Sequence, residues 1–95
     1  MTNKEQINFI WDPNRELANI QKHGLDFCTA ALVFKDPKRK IYIDSRHSQN
    51  EERLFCIGRV GNRILTVRFT YREGKIRIFG AGCWRKGKIY YEKKD

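Results

Sequence analysis

The chain has no paired cysteines. Cys28, Cys56 and Cys83 stand far apart, so neither a disulfide framework nor a zinc site follows from their spacing, and Cys28 and Cys56 fall at positions that read as buried on a helix and a strand. Acidic residues are scarce as well. Eleven Asp and Glu face twenty Lys and Arg, a formal net charge of +9, while a hydrophobic fraction of 40% is enough for a folded chain. The partner to expect is therefore acidic, with nucleic acid first and an acidic protein or an anionic membrane surface second. The start, Met1-Thr-Asn-Lys-Glu, is polar and no long apolar run follows it, so neither a signal peptide nor a membrane span is expected, and a reducing cytoplasm fits the three lone thiols. Phosphate-binding glycine loops, His-Glu-x-x-His and a nucleophile elbow are all missing, so no cofactor and no metal is expected. Ninety-five residues suffice for one domain, residues 1–95, with one modest core.

What the chain does contain centres on residues 53–81. Three segments, 53–60, 64–71 and 75–81, are rich in β-branched and aromatic residues and are separated by Gly61-Asn62 and Glu73-Gly74. They read as an antiparallel meander. Two-residue turns would set position 54 opposite 69, 56 opposite 67, 58 opposite 65, 76 opposite 71 and 78 opposite 69. One face then carries Leu54, Cys56, Leu65, Val67, Phe69, Tyr71, Ile76 and Ile78. Because side chains alternate, the other face carries Arg53, Thr70 and Arg77 in one row, with Phe55, Arg68 and Phe79 in the next. Guanidinium groups that grip phosphates beside rings that stack on unpaired bases suit RNA, although the same rows also describe a face whose arginines are merely solvated.

Before the meander, residues 1–6 read as a loose tail and residues 7–11 as a short strand. Asp12 and Pro13 then start a helix over residues 13–23 that Gly24 ends. Leu17, Ile20 and Gly24 share a stripe of it, and His23 lies at the stripe's edge in the last turn, where a histidine serves either as a cap on the helix dipole or as a catalytic or phosphate-binding group. Asp26 should cap a second helix running through Phe34, with Phe27, Ala30, Ala31 and Phe34 apolar, and Asp36-Pro37 stops it. Both helices are expected to cover the apolar face of the meander. After a strand at residues 41–44, the polar segment 45–53 gathers His47, Glu51, Glu52 and Arg53. Metal-free RNA cleavage needs a base, a cation and an acid, and these side-chain types supply them; a solvated hinge in which Glu51 or Glu52 pairs with arginines is the alternative. The end of the chain is a short basic helix or tail, in which either Trp84 and Tyr90 or Tyr91 anchor it on the sheet or Trp84, with Arg85, Lys86 and Lys88, extends an RNA surface.

In order, Phe9-Ile-Trp-Asp-Pro13, Asn19, Lys22-His-Gly24, Phe27, Ala30, Val33-Phe34, Asp36-Pro37, His47-Ser48, Glu51-Glu-Arg53, Ile57-Gly58 and Ile76-Arg-Ile78 resemble the BrnT family of toxins from type II toxin–antitoxin systems. The resemblance implies a RelE-like α+β fold, with two N-terminal helices on a mainly antiparallel four-stranded sheet and a short C-terminal basic helix or tail. It also implies a metal-independent endoribonuclease that inhibits translation and is neutralised by a BrnA-type antitoxin in a toxin–antitoxin hetero-oligomer. It maps catalytic roles onto His23, Glu52, Arg53 and Arg77, with His47 as a further candidate; beside them, the sheet row offers Arg68, Phe55 and Phe79, and the basic end of the chain Trp84, Arg85 and Lys86, to contact RNA. One departure stands out. Many members continue the Ile-Arg-Ile strand with Ile-Ser-Ala-Arg where this chain has Phe79-Gly-Ala-Gly82, and Gly87 stands about where an acidic residue is common. Arg85 or Lys86 would then replace the missing cation, or the chain would be a non-catalytic RNA-binding or protein-binding module of the same fold.

Overall fold

The computed structural model describes residues 7–94, so the tail expected at residues 1–6 lies outside the described residues. Helix α1 (Pro13–His23) has the caps that its sequence predicts: Asp12 accepts from the Asn14 amide at 2.9 Å, and Gly24, at φ 67°, donates its N–H to the Ile20 carbonyl at 2.7 Å. Asp26 caps helix α2 (Phe27–Ala30) through the Thr29 amide and hydroxyl, at 3.0 and 2.7 Å. The second helix then tightens into a 3-10 turn at Ala31–Lys35 instead of running on as α-helix to Phe34. Three residues per turn put Phe27, Ala30 and Val33 in line over the sheet, and all three are fully buried.

The sheet has five strands: β1 (Phe9–Trp11), β2 (Lys40–Ile43), β3 (Leu54–Val60), β4 (Arg63–Arg72) and β5 (Lys75–Gly82), in the order β1-β5-β4-β3-β2. The four-stranded, mainly antiparallel expectation is corrected here. Phe9–Trp11 pairs parallel with Ile76–Ile78, so the fold is α+β on a mixed sheet, with helix α3 (Arg85–Glu92) closing the chain. The meander has the expected register, with Leu54 opposite Phe69, Gly58 opposite Leu65, Phe69 opposite Ile78 and Tyr71 opposite Ile76. Glu73 at φ 53° and Gly74 at φ 77° form a two-residue turn of the type that suits twisted hairpins, which keeps Arg77 beside Thr70.

Three expectations about burial fail. Tyr71 is 58% exposed, because it stands at the far end of β4 beyond the reach of the helical cover. Leu17 and Ile20 are exposed, and α1 turns Asn19 inward instead. Beyond Ile78, β1 has ended and the edge of β5 would be bare; Asn19 fills the gap by accepting from the Ala81 N–H at 3.1 Å and donating to the Ala81 carbonyl at 3.0 Å and to the Leu25 carbonyl at 2.9 Å. One side chain does a strand's work. Cys28 is exposed, contrary to expectation, while Cys56 is buried and its thiol pushed up to about 12 by burial.

Candidate nucleic-acid interface

The face of the sheet opposite α2 is half covered and half open. Helix α3 lies across β3 and β4, so close that a Cβ at Gly87 would collide with Thr66 Oγ1. Glycine at this position is a requirement of that approach. Asp36 holds the helix from the far end: it accepts from the Tyr91 hydroxyl at 2.6 Å, the Arg59 amide at 2.7 Å and the Lys38 amide at 2.9 Å. Burial would raise its carboxyl, but these hydrogen bonds outweigh burial and hold it below the usual carboxylate value.

The uncovered half carries the arginines. Arg77 pairs with Thr70, and the strand register sets Arg53 on Thr70's other side; the Thr70 hydroxyl, itself buried, donates to the Glu52 carbonyl. The next row departs from expectation. A bulge makes Gly80 the partner of Arg68, and Phe79 becomes the extra residue of β5. Phe79 is only 8% exposed because Arg53 lies 4.1 Å over its ring and Arg15 of α1 lies 5.5 Å from it. It therefore aims arginines instead of presenting a free face to a base. Arg68 rests on the bulge itself, its Nη2 standing 2.7 Å from where a Cβ of residue 80 would be.

Glu51, and not Glu52, is the carboxylate that the arginines hold. Arg72 reaches its two oxygens at 2.9 and 3.2 Å and Arg53 approaches at 3.6 Å. The hydrogen bond from Arg72 outweighs desolvation and, with the charges of Arg72, Arg53 and Arg77, keeps the Glu51 carboxyl below its usual value. Glu52 is exposed and contributes its carbonyl.

His47 ends a 3-10 turn, Ser45–His47, that buried Asp44 organises. Asp44 accepts from the Arg46 amide at 3.2 Å and from His47 Nδ1 at 2.8 Å. A carboxylate only accepts, so the proton sits on Nδ1 and leaves Nε2 outward as the basic nitrogen. Ser48 clips this turn to the start of β3: its hydroxyl donates to the Asp44 carbonyl at 2.6 Å and accepts from the Arg53 amide at 2.9 Å. His47 and Arg53 consequently line one cleft of about 320 Å³ together with Gln49, Asn50, Glu51 and Arg72.

His23 lies elsewhere on this side. It is exposed at the end of α1, its ring edge-on to Trp84 at 5.2 Å between centroids. Trp84 folds back onto Gly82, where a Cβ would come within 2.9 to 3.0 Å of the indole, so the indole occupies the space of a residue 82 side chain. Arg85 points into a basic groove of about 690 Å³ with Arg59, Arg63 and Lys88, whereas Lys86 lines a separate cleft with Phe55 and Trp84. Neither joins Arg53 and His47 in their cleft. Among the described residues no group of three or more His, Cys, Asp or Glu is placed to hold a metal ion, and no helix is long and apolar enough to cross a membrane.

Sequence reasoning missed Arg72, Arg15 and Asp44. Only Asp44 left a local signal, a capping residue three positions before a histidine. No curated protein matches the chain. The family model described as the BrnT ribonuclease toxin of type II toxin–antitoxin systems matches residues 11–87, which takes in Trp11 at the end of β1, the caps of α1, Asn19, the His47–Arg53 segment, the β5 bulge and Gly87; the chain belongs to that family.

Proposed function

We propose that residues 1–95 act as one toxin domain of RelE-like type, a metal-independent endoribonuclease that inhibits translation in the cytoplasm until a BrnA-type antitoxin binds it. The observation that carries the chemistry is the cleft shared by His47, with its Nδ1 held by Asp44, and by Arg53 and Arg72 around Glu51. In this reading His47 Nε2 takes the proton of a ribose 2′-hydroxyl, whose oxygen attacks the adjacent phosphorus. Arg53 and Arg77 stabilise the added negative charge on the phosphorane oxygens. The bond to the 5′-oxygen breaks, that oxygen gains a proton, and a 2′,3′-cyclic phosphate remains. Glu52, next to Arg53 in sequence, is the candidate to supply that proton, since His23 stands against Trp84 outside this cleft.

Charge supports the substrate class. A net charge of +9 and the arginine rows favour a polyanion, and affinity for single-stranded RNA should fall steeply with salt as counterions are released. The test is incubation of the purified protein with RNA, with and without EDTA, followed by analysis of product ends. Cyclic phosphate ends formed equally in EDTA, and lost in His47→Ala and Arg53→Ala variants, are the expected result. RNA left intact but bound would establish the non-catalytic module instead, and cleavage abolished by EDTA would refute metal independence.

A further inference from the structure

A second cleft, of about 510 Å³, opens where α3 crosses the outer ends of β2 and β3. Its walls are aromatic. Tyr42 stacks on Phe55 at 5.0 Å and 27°, and Tyr90 of α3 tilts against Tyr42 at 4.7 Å and 48°. Trp84 also lines the cleft. Tyr42, Phe55 and Tyr90 are in contact with one another, yet Tyr90 remains 42% exposed and the cleft opens beside the three rings. Thr66 lines the cleft but is 4% exposed, because Gly87 of α3 packs directly on its hydroxyl.

The rim supplies charge and direction. Lys86 and Arg46 border the opening, and His47 lines both this cleft and the one that contains Arg53. A strand whose scissile phosphate lies at Arg53 therefore has its neighbouring nucleotide beside His47, at the mouth of the aromatic cleft. A partly exposed aromatic ring, an indole on the same cleft and cations at its rim match an unpaired base, with its π-face and its attached phosphate.

We propose that this cleft holds one unpaired nucleobase of the RNA strand next to the cleaved phosphodiester. The proposal rests on the RNA reading above. It makes Tyr90 and Trp84 the determinants of substrate position, separate from the groups that act on the phosphate.

The experiment measures binding of 2′-O-methyl heptaribonucleotides, which resist cleavage by 2′-hydroxyl attack, each carrying an abasic site at a different position. Against the wild-type protein, one abasic position should weaken binding on the order of tenfold, the loss typical of a base–aromatic stack. Tyr90→Ala should lose about as much with the intact strand and little more with that abasic strand, while Tyr90→Phe keeps wild-type behaviour. Lys86→Ala, on an exposed helix position, provides a second variant that should weaken binding and flatten its salt dependence if Tyr90→Ala does not fold. Equal binding of every abasic strand by the wild type, or additive losses in Tyr90→Ala, would overturn the base site while leaving RNA binding intact. A Tyr90→Ala protein that loses antitoxin binding but not RNA would overturn it too, since the cleft would then belong to a protein partner. No binding of any oligonucleotide by the wild type would instead refute the RNA reading from which the proposal starts.

Discussion

Replacing Arg53 with Ala separates catalysis from stability, and the structure gives a magnitude for each. Its guanidinium makes a cation–π contact at 4.1 Å with Phe79 and an outer ion pair at 3.6 Å with Glu51, and its side chain is 35% exposed. The first contact contributes about 0.5–1 kcal/mol, and the second, a solvent-screened surface pair, adds little to it. Arg53→Ala should thus cost on the order of 1 kcal/mol of stability, a fall in Tm of about 4–8 °C for a domain of this size. Cleavage should fall far more. A preorganised cation removed from a developing oxyanion typically costs ~100-fold or more in rate. Arg53→Lys should recover part of the rate, because it keeps the charge and loses the bidentate fork. Phe79→Leu, which removes the ring that aims the guanidinium, should lower the rate less than Arg53→Ala, and the double variant should be little worse than Arg53→Ala alone. The assay is single-turnover cleavage of a defined RNA beside a thermal melt for each variant. A folded Arg53→Ala protein that cuts at the parental rate, or rate losses that add fully in the double variant, would refute this placement of the site.

The other predictions follow from single contacts. Asn19→Ala leaves one buried N–H and two carbonyls without their partner and should cost about 2–4 kcal/mol, read as a denaturation midpoint shift at unchanged slope; a shift below about 0.5 kcal/mol would show that the edge of β5 needs no cap. Gly82→Ala drives a Cβ into the indole, so Trp84 should swing off β5 and lose its edge contact with His23, which a change in tryptophan fluorescence and in the His23 ring NMR signals would report. Asp36 has a lowered carboxyl, so its contribution to stability is present above the unfolded-state value of about 3.9 and is lost as pH falls through its folded value. Asp36→Asn should therefore be less stable at neutral pH and show a shallower acid dependence; parallel stability curves for the two proteins between pH 2 and 6 would contradict this.

Local chemistry alone determined much of this protein. The start and end of α1 follow from Asp12, Pro13 and Gly24, and the meander register follows from strict alternation between two-residue turns, so Arg53, Thr70 and Arg77 were legible as one row. The ordered motifs from Phe9 to Ile78 were legible as family membership for the same reason, since short spacings survive in sequence. Tertiary structure decided the rest. The short segment Phe9–Trp11 shows no sign of the parallel partner that waits at Ile76–Ile78, and Asn19 reads as one polar residue on a helix until Ala81, 62 residues away, meets it. The bulge at Phe79 and Gly80 displaces a ring from its predicted row, and it arises from strand pairing that no local turn signal encodes. Which of two adjacent glutamates meets the arginines depends on where Arg72 at the end of β4 comes to lie against the 45–53 segment. Pairings between distant segments are set by packing the whole sheet, and a pattern of period two or 3.6 carries no record of them.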